Sequence, residues 1–118
     1  MKFPKEYIKR GEFVLHSGQR SDTLYDVNEM LTDYVYMGHI LKNIPPSEHY
    51  VGIATGGAVI ASAGRIRNKS KMSMVKDGLL TGPKPDGKWT LIDDVVTTGK
   101  SLLEAISLVG SEPEHIFV

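Results

Sequence analysis

The sequence predicts an α/β fold, a parallel sheet with flanking helices. Apolar runs of strand length alternate with longer segments of helical period, the order that builds parallel strand–helix–strand units. Two glycine-bearing loops, 55–57 and 97–101, each follow an apolar run and open a helix. Ligands of such sheets sit beyond the carboxyl ends of the strands, where the strand order reverses. Both loops are therefore expected to face one crevice.

In chain order, 5–10 reads as a short helix ended by Gly11, and 12–16 and 24–27 as extended segments around a turn at Ser17-Gly18-Gln19. Asn28 is placed to cap a helix reaching Asn43, with Met30, Tyr34, Met37 and Leu41 on one face and Leu31 and Val35 on another. Pro45-Pro46 stops that helix. A buried strand follows at 50–54, a small-residue helix at 58–68 and a strand at 72–75. The stretch 77–88 carries Gly78, Gly82, Gly87, Pro83 and Pro85 and is expected to be a loop. A strand at 89–92, its helix at 102–109 and a last strand at 116–118 complete the chain. Trp89 is expected to anchor a core or an interface. The Tyr34, Tyr36, Met37 helix is expected to be core, with an exposed edge open to a dimer partner. His39, His49 and His115 lack metal-ligand spacing and are expected at the surface or partly buried.

A chain of 118 residues has room for one domain, 1–118. Its 14 basic and 14 acidic side chains cancel, so non-specific attraction to nucleic acid or to a membrane surface is not expected. The basic cluster 65–71 reads as a helix C-terminus complementing its dipole. Cysteine is absent, which excludes disulfides and thiolate zinc sites and suits a reducing compartment. No apolar run approaches the roughly 20 residues of a membrane span, and residues 1–6 lack a signal peptide's apolar stretch. A cytoplasmic location is expected.

The segment 90–101 is the most informative. An apolar strand runs into Asp93-Asp94, then into a loop with Thr97, Thr98 and Gly99, then into a helix opened by Lys100 and Ser101. The first N–H groups of a helix lack intrahelical partners, and its dipole favours an anion there. The hydroxyls add donors, and Gly99 lets backbone approach a phosphate. Carboxylates repel phosphate, so the acidic pair must serve another part of the ligand. Vicinal sugar hydroxyls fit, because each donates to a carboxylate. The ligand implied is a phosphorylated sugar. Gly99-Lys100-Ser101 also matches the tail of a triphosphate-binding loop, but Asp94 stands where that pattern needs its first glycine. An ordinary strand–turn–helix with chance acids is the bland alternative, and the whole run of features argues against it.

The run 91–101 resembles the phosphoribosyl pyrophosphate (PRPP) motif of type I phosphoribosyltransferases. The resemblance implies that Asp93 and Asp94 hold the ribose hydroxyls and that Thr97, Thr98, Gly99, Lys100 and Ser101 hold the 5-phosphate. It assigns Thr55, Gly56 and Gly57 to pyrophosphate through backbone N–H groups. The segment Phe13-Val14-Leu15-His16-Ser17-Gly18-Gln19-Arg20-Ser21, followed by Tyr25-Asp26, is similar to the signature of orotate phosphoribosyltransferases. That implies a base pocket lined by His16, Ser17 and Gly18, with 1–27 covering the base and 28–118 forming the PRPP core. The family implies Mg2+, orotate as the favoured nucleobase, and a homodimer.

The chain departs from the family pattern. His16 stands where these enzymes usually have lysine. After the strand at 72–75 they carry a catalytic loop of the form R-K-x-x-K-x-H-G, whereas here only Lys76 matches and the loop is short. Lys76 is therefore the family-matched cation for pyrophosphate; Lys84, Lys88 and Lys100 are candidate substitutes, each more readily a solvated surface residue. Relative to the family the fold is expected to be truncated at the C-terminal end. Two alternatives stay open: a non-catalytic PRPP-binding sensor, and a phosphoribosyltransferase for another base.

Overall fold

The structure, a computed structural model, describes residues 5–14, 18–94 and 98–118. It has a two-stranded ribbon and a five-stranded sheet. A single 3-10 turn, Lys5–Tyr7, leads into β1 (Ile8–Val14), which pairs antiparallel with β2 (Arg20–Tyr25). The helix expected at 5–10 is thus one turn only, and Gly11 lies inside β1. The ladder there is bulged: Arg10 faces Thr23 while Phe13 faces Ser21. Two β-strands satisfy each other's backbone groups across the ribbon, which a two-turn helix with little apolar face cannot match.

The helix expected from Asn28 to Asn43 is two helices, α1 (Val27–Leu31) and α2 (Tyr34–Asn43). The break has a local cause. The Asp26 side chain accepts from the Glu29 N–H and caps α1, and Asp33 accepts from the Val35 N–H and caps α2. Asn28 lies inside α1 and is not its cap. The break shifts the helical register, so Met30 and Leu31 are buried while Tyr34 (88%) and Val35 (55%) are exposed. Ile44 closes α2 in extended conformation, as the residue before a proline prefers.

The five-stranded sheet has the order β5-β4-β3-β6-β7. Its strands are β3 (His49–Ile53), β4 (Lys71–Lys76), β5 (Leu79–Thr81), β6 (Thr90–Ile92) and β7 (His115–Phe117). All pairings are parallel except β4 with β5. The loop expected over 77–88 therefore begins with a hairpin strand. Asp77 (φ 51°) and Gly78 (φ 73°) both adopt the left-handed conformation, the requirement of the two-residue turn that matches strand twist. α3 (Gly56–Asn68) connects β3 to β4, and α4 (Lys100–Val109) connects β6 to β7.

Helices cover both faces. Tyr50, Ile60, Ala61 and Ile92 pack with Met30, Leu31 and Ile44 on the face of α1–α3. Val51, Val75, Trp89 and Leu91 pack with Ala105 and Val109 on the face of α4. Adjacent residues such as Tyr50 and Val51, or Leu91 and Ile92, enter opposite cores, the two-residue period of a strand buried on both sides. Trp89 is fully buried and donates Nε1–H to Ser111 Oγ at 3.0 Å, which makes it a core anchor. His49 is buried as well, with Nε2 2.7 Å from Ser73 Oγ, and burial pushes its pKa down. It was expected at the surface or partly buried, but it starts a central strand, paired with Lys71 of β4 and hydrogen-bonded to Ser73. Among the described residues no helix is long and apolar enough to cross a membrane.

Candidate active site

β3 and β6 are neighbours, and their connections run to opposite sides of the sheet: β3 leads through α3 to β4, and β6 through α4 to β7. Their carboxyl ends therefore flank the switch point, where the strand order reverses. Both expected loops leave from there.

The first exit is Ala54-Thr55, joined by a cis peptide, followed by Gly56 and Gly57 in the first turn of α3. Among the described residues no side chain caps α3. Its leading N–H groups and the positive end of its dipole are left to an anion. The Ala54 N–H donates to Val75 O at 2.9 Å, which ties this exit to β4 and sets it beside Lys76, the exposed last residue of that strand.

The second exit carries the acidic pair. The Asp93 N–H donates to Phe117 O at 3.1 Å, and Asp93 Oδ1 accepts from the Asp94 N–H at 2.8 Å. Asp93 is 6% exposed. Burial, then a hydrogen bond to the Asp94 side chain and repulsion by its charge, push the Asp93 pKa up to about 7. The resting pair thus tends to hold a proton near neutrality. Gly99 is in the left-handed conformation (φ 79°) at the N-cap of α4, and the Lys100 N–H donates to Thr98 Oγ1 at 3.3 Å. Lys100 and Ser101 form the first turn.

Close packing of glycine backbone brings the exits together. A Cβ on Gly57 would collide with Ile92 O and lie 3.0 Å from the Asp93 Cα. A Cβ on Gly52, within β3, would collide with Gly57 O and lie 2.7 Å from the Ala58 Cα. One on Gly56 would strike the Asp94 carboxylate. Gly52 was not among the expected site residues. An isolated glycine in a strand signals close backbone approach, and here it seats the start of α3 on the sheet.

The structure thus gathers Thr55, Gly56, Gly57, Asp93 and Asp94, with Thr98, Gly99, Lys100 and Ser101 opening α4 and Lys76 on the adjoining strand. His16, Ser17 and Thr97 lie outside the described residues. Gly18 is exposed beside the ribbon (φ 87°), and a Cβ there would meet none of the described residues within 4 Å. A concavity of about 510 Å3 lies against the ribbon, lined by 11–14 and 20–22. It contains none of the expected phosphate or ribose ligands.

No protein-family profile matches the chain. Individual relatives do. It is 31% identical over 120 residues to the orotate phosphoribosyltransferase of Aeropyrum pernix, covering 88% of this chain and 64% of that protein. It is 30% identical over 117 residues to that of Thermoplasma volcanium, covering 86% of this chain and 68% of that protein. The crystal structure of the Aeropyrum pernix enzyme matches the fold with a TM-score of 0.73 at 28% identity, over 94% of this chain and 71% of that one. The chain thus spans a little under two thirds of the Aeropyrum pernix protein's length and slightly more of the Thermoplasma volcanium protein's. On its identity with the Thermoplasma volcanium relative, of which it covers more than two thirds, the chain belongs to the orotate phosphoribosyltransferase family.

Proposed function

We propose that the chain transfers the phosphoribosyl group of PRPP to a pyrimidine-type base, orotate being favoured, with release of pyrophosphate. The observation that carries this reading is the contact of the acidic pair with the glycine turn of α3 at the switch point. One crevice then offers carboxylates for ribose hydroxyls beside the N-terminus of α3, which has no side-chain cap among the described residues, with the N-terminus of α4 following the second exit. The bond from the anomeric carbon to the pyrophosphate oxygen breaks and its electron pair leaves with pyrophosphate. A ring nitrogen of the base forms the new bond, and its displaced proton goes to solvent. Asp93 and Asp94 anchor the ribose hydroxyls. Positive charge developing on the ribose favours ionised Asp93, so the pair binds the transition state better than the resting sugar. Thr97 to Ser101 are assigned to the 5-phosphate, the 55–57 turn and Lys76 to pyrophosphate, and His16, Ser17 and Gly18 to the base.

The donor set fits Mg2+. The ion needs only one or two carboxylates beside substrate oxygens and water, and the exits offer two adjacent carboxylates but, among the described residues, no cluster of three ligating side chains. Asp93 and Asp94 would hold it only through the sugar hydroxyls and water. When bound it supplies charge neutralisation on the leaving pyrophosphate. A homodimer fits the exposed Tyr34 and Val35, and size-exclusion chromatography with light scattering tests it.

The activity test is product formation. The protein is incubated with PRPP, Mg2+ and orotate, uracil or a purine base, and nucleotide and pyrophosphate are measured by mass spectrometry. Turnover with orotate is expected; full activity in an Asp93→Asn, Asp94→Asn double variant overturns the ribose assignment. One observation favours a second reading, a PRPP-binding sensor. β4 passes to β5 through only Asp77 and Gly78, so that strand end contributes no covering loop and a single matched cation, Lys76. PRPP binding by calorimetry without turnover on any base selects the sensor.

A further inference from the structure

We infer that Gly56 is a positioning residue for Asp94, coupling the turn that receives pyrophosphate to the carboxylate that holds the ribose. The inference rests on the PRPP reading and goes beyond it, because it gives Gly56 a role separate from offering backbone to phosphate. Three glycines crowd this junction, and they differ in what they leave room for. The space beside Gly52 and Gly57 is taken by main chain: Gly57 O and Ala58 Cα for the first, Ile92 O and Asp93 Cα for the second. The space beside Gly56 is taken by a functional side chain. All three nearest atoms belong to Asp94, its carboxylate oxygen together with Cγ at 2.6 Å and Cβ at 2.7 Å from an added Cβ. Gly56 is buried and Asp94 half-buried, so the carboxylate rests against the α-carbon of Gly56 rather than in open solvent. Asp93 is held from the other side by β7, through its N–H to Phe117 O. The aim of Asp94 is thus set across the crevice by Gly56 and that of Asp93 by its own sheet edge. Any side chain at position 56 must push the Asp94 carboxylate or the α3 turn away.

A double-mutant cycle with two partial ligands tests this. Gly56→Ala and Gly57→Ala are made in the wild-type and in the Asp94→Ala background. Each protein is melted, then titrated separately with ribose 5-phosphate and with pyrophosphate plus Mg2+. Gly56→Ala is expected to lower Tm by about 5–10 °C in the wild type and by under about 2 °C once the Asp94 side chain is gone. Gly57→Ala, which meets main chain, should cost the same in both. Gly56→Ala should weaken ribose 5-phosphate roughly tenfold, the loss of one hydrogen bond to a charged group, with no further loss in the Asp94→Ala background. Should Gly56→Ala alone fail to fold, the Gly56→Ala, Asp94→Ala protein is expected to fold. Equal Tm losses in both backgrounds, an unfolded double variant, or a binding loss confined to pyrophosphate overturns the positioning role. Wild-type protein that binds neither ligand overturns the PRPP reading and the role with it, while the thermal cycle still reports whether the contact exists.

Discussion

The strand exits and the N-terminal ribbon are two ends of one proposed site, and they are built differently. Asp93, Asp94 and the 55–57 turn leave strands sealed on both faces by fully buried side chains such as Tyr50, Val51, Leu91 and Ile92. The ribbon that carries Gly18 packs chiefly on itself. A few ties join it to the helices: Tyr7 OH to Asp33 Oδ2 at 2.8 Å, the Asp26 N–H to Tyr7 O at 2.8 Å, Tyr36 OH to Glu6 Oε1 at 2.6 Å, and the Lys9–Glu29 ion pair at 2.9 Å. Tyr7 and Tyr36 also meet edge to face, with centroids 5.8 Å apart. A two-stranded ribbon is marginal without packing. The proposed sugar-phosphate end is thus held by the core, whereas the proposed base end is joined to it by these few ties.

The largest effect that would break this contrast is chemical. Asp94→Asn is expected to cut PRPP turnover by about a hundredfold or more, since it removes a charge aimed at the developing cation. Far-UV circular dichroism should stay native and the product assay should fall. Next is stability of the exits: Trp89→Ala should cost about 3–5 kcal/mol, read by urea titration, because it empties the core on the α4 face. Tyr7→Phe should leave global unfolding nearly unchanged and raise amide exchange in β1 and β2 roughly three- to tenfold. If exchange rises equally in β3 and β6, the two regions are one cooperative unit and the contrast fails.

Acid titration sharpens the comparison, because two buried groups pull in opposite directions. Asp93 is raised from 3.8 to about 7 in the folded protein. The native state holds that proton more tightly than the unfolded chain, so its contribution is greatest below pH 4 and is lost as pH rises through 7. Asp93→Asn should therefore raise Tm at pH 8 and remove this slope. His49 is lowered from 6.5, chiefly by burial and then by the Lys71 charge, with Asp86 opposing. Its contribution is complete above pH 6.5 and is lost as pH falls below that. Melts of His49→Gln across pH 4–8 separate the two slopes. The smallest effect concerns Thr90, fully buried with Oγ1 unpartnered among the described residues. Thr90→Val should be neutral or stabilising by up to about 1 kcal/mol.

Much of the candidate site's layout was legible in the primary structure, because its signals act over a few residues. An acidic pair, a hydroxyl-rich loop with glycine and a following helix are local, as are the strand alternation and the stop at Pro45. The failures share another cause. Asp26 and Asp33 split one expected helix because short-range capping outweighed the apolar period that ran across both halves. Leu79–Thr81 became a strand because Asp77 and Gly78 turned the chain back on β4, and β4 supplied the partner.

What the chain's own residues settled is therefore the chemistry on offer: carboxylates, hydroxyls, helix starts and the glycines between them. What only the folded arrangement decided is which of these meet. The contact of Gly56 with Asp94, the burial that lifts the Asp93 pKa, and the burial of His49 all depend on β3 lying between β4 and β6. Strand order is set by how two helical layers cover both faces of the sheet, a balance of long-range burial that no short stretch of sequence encodes.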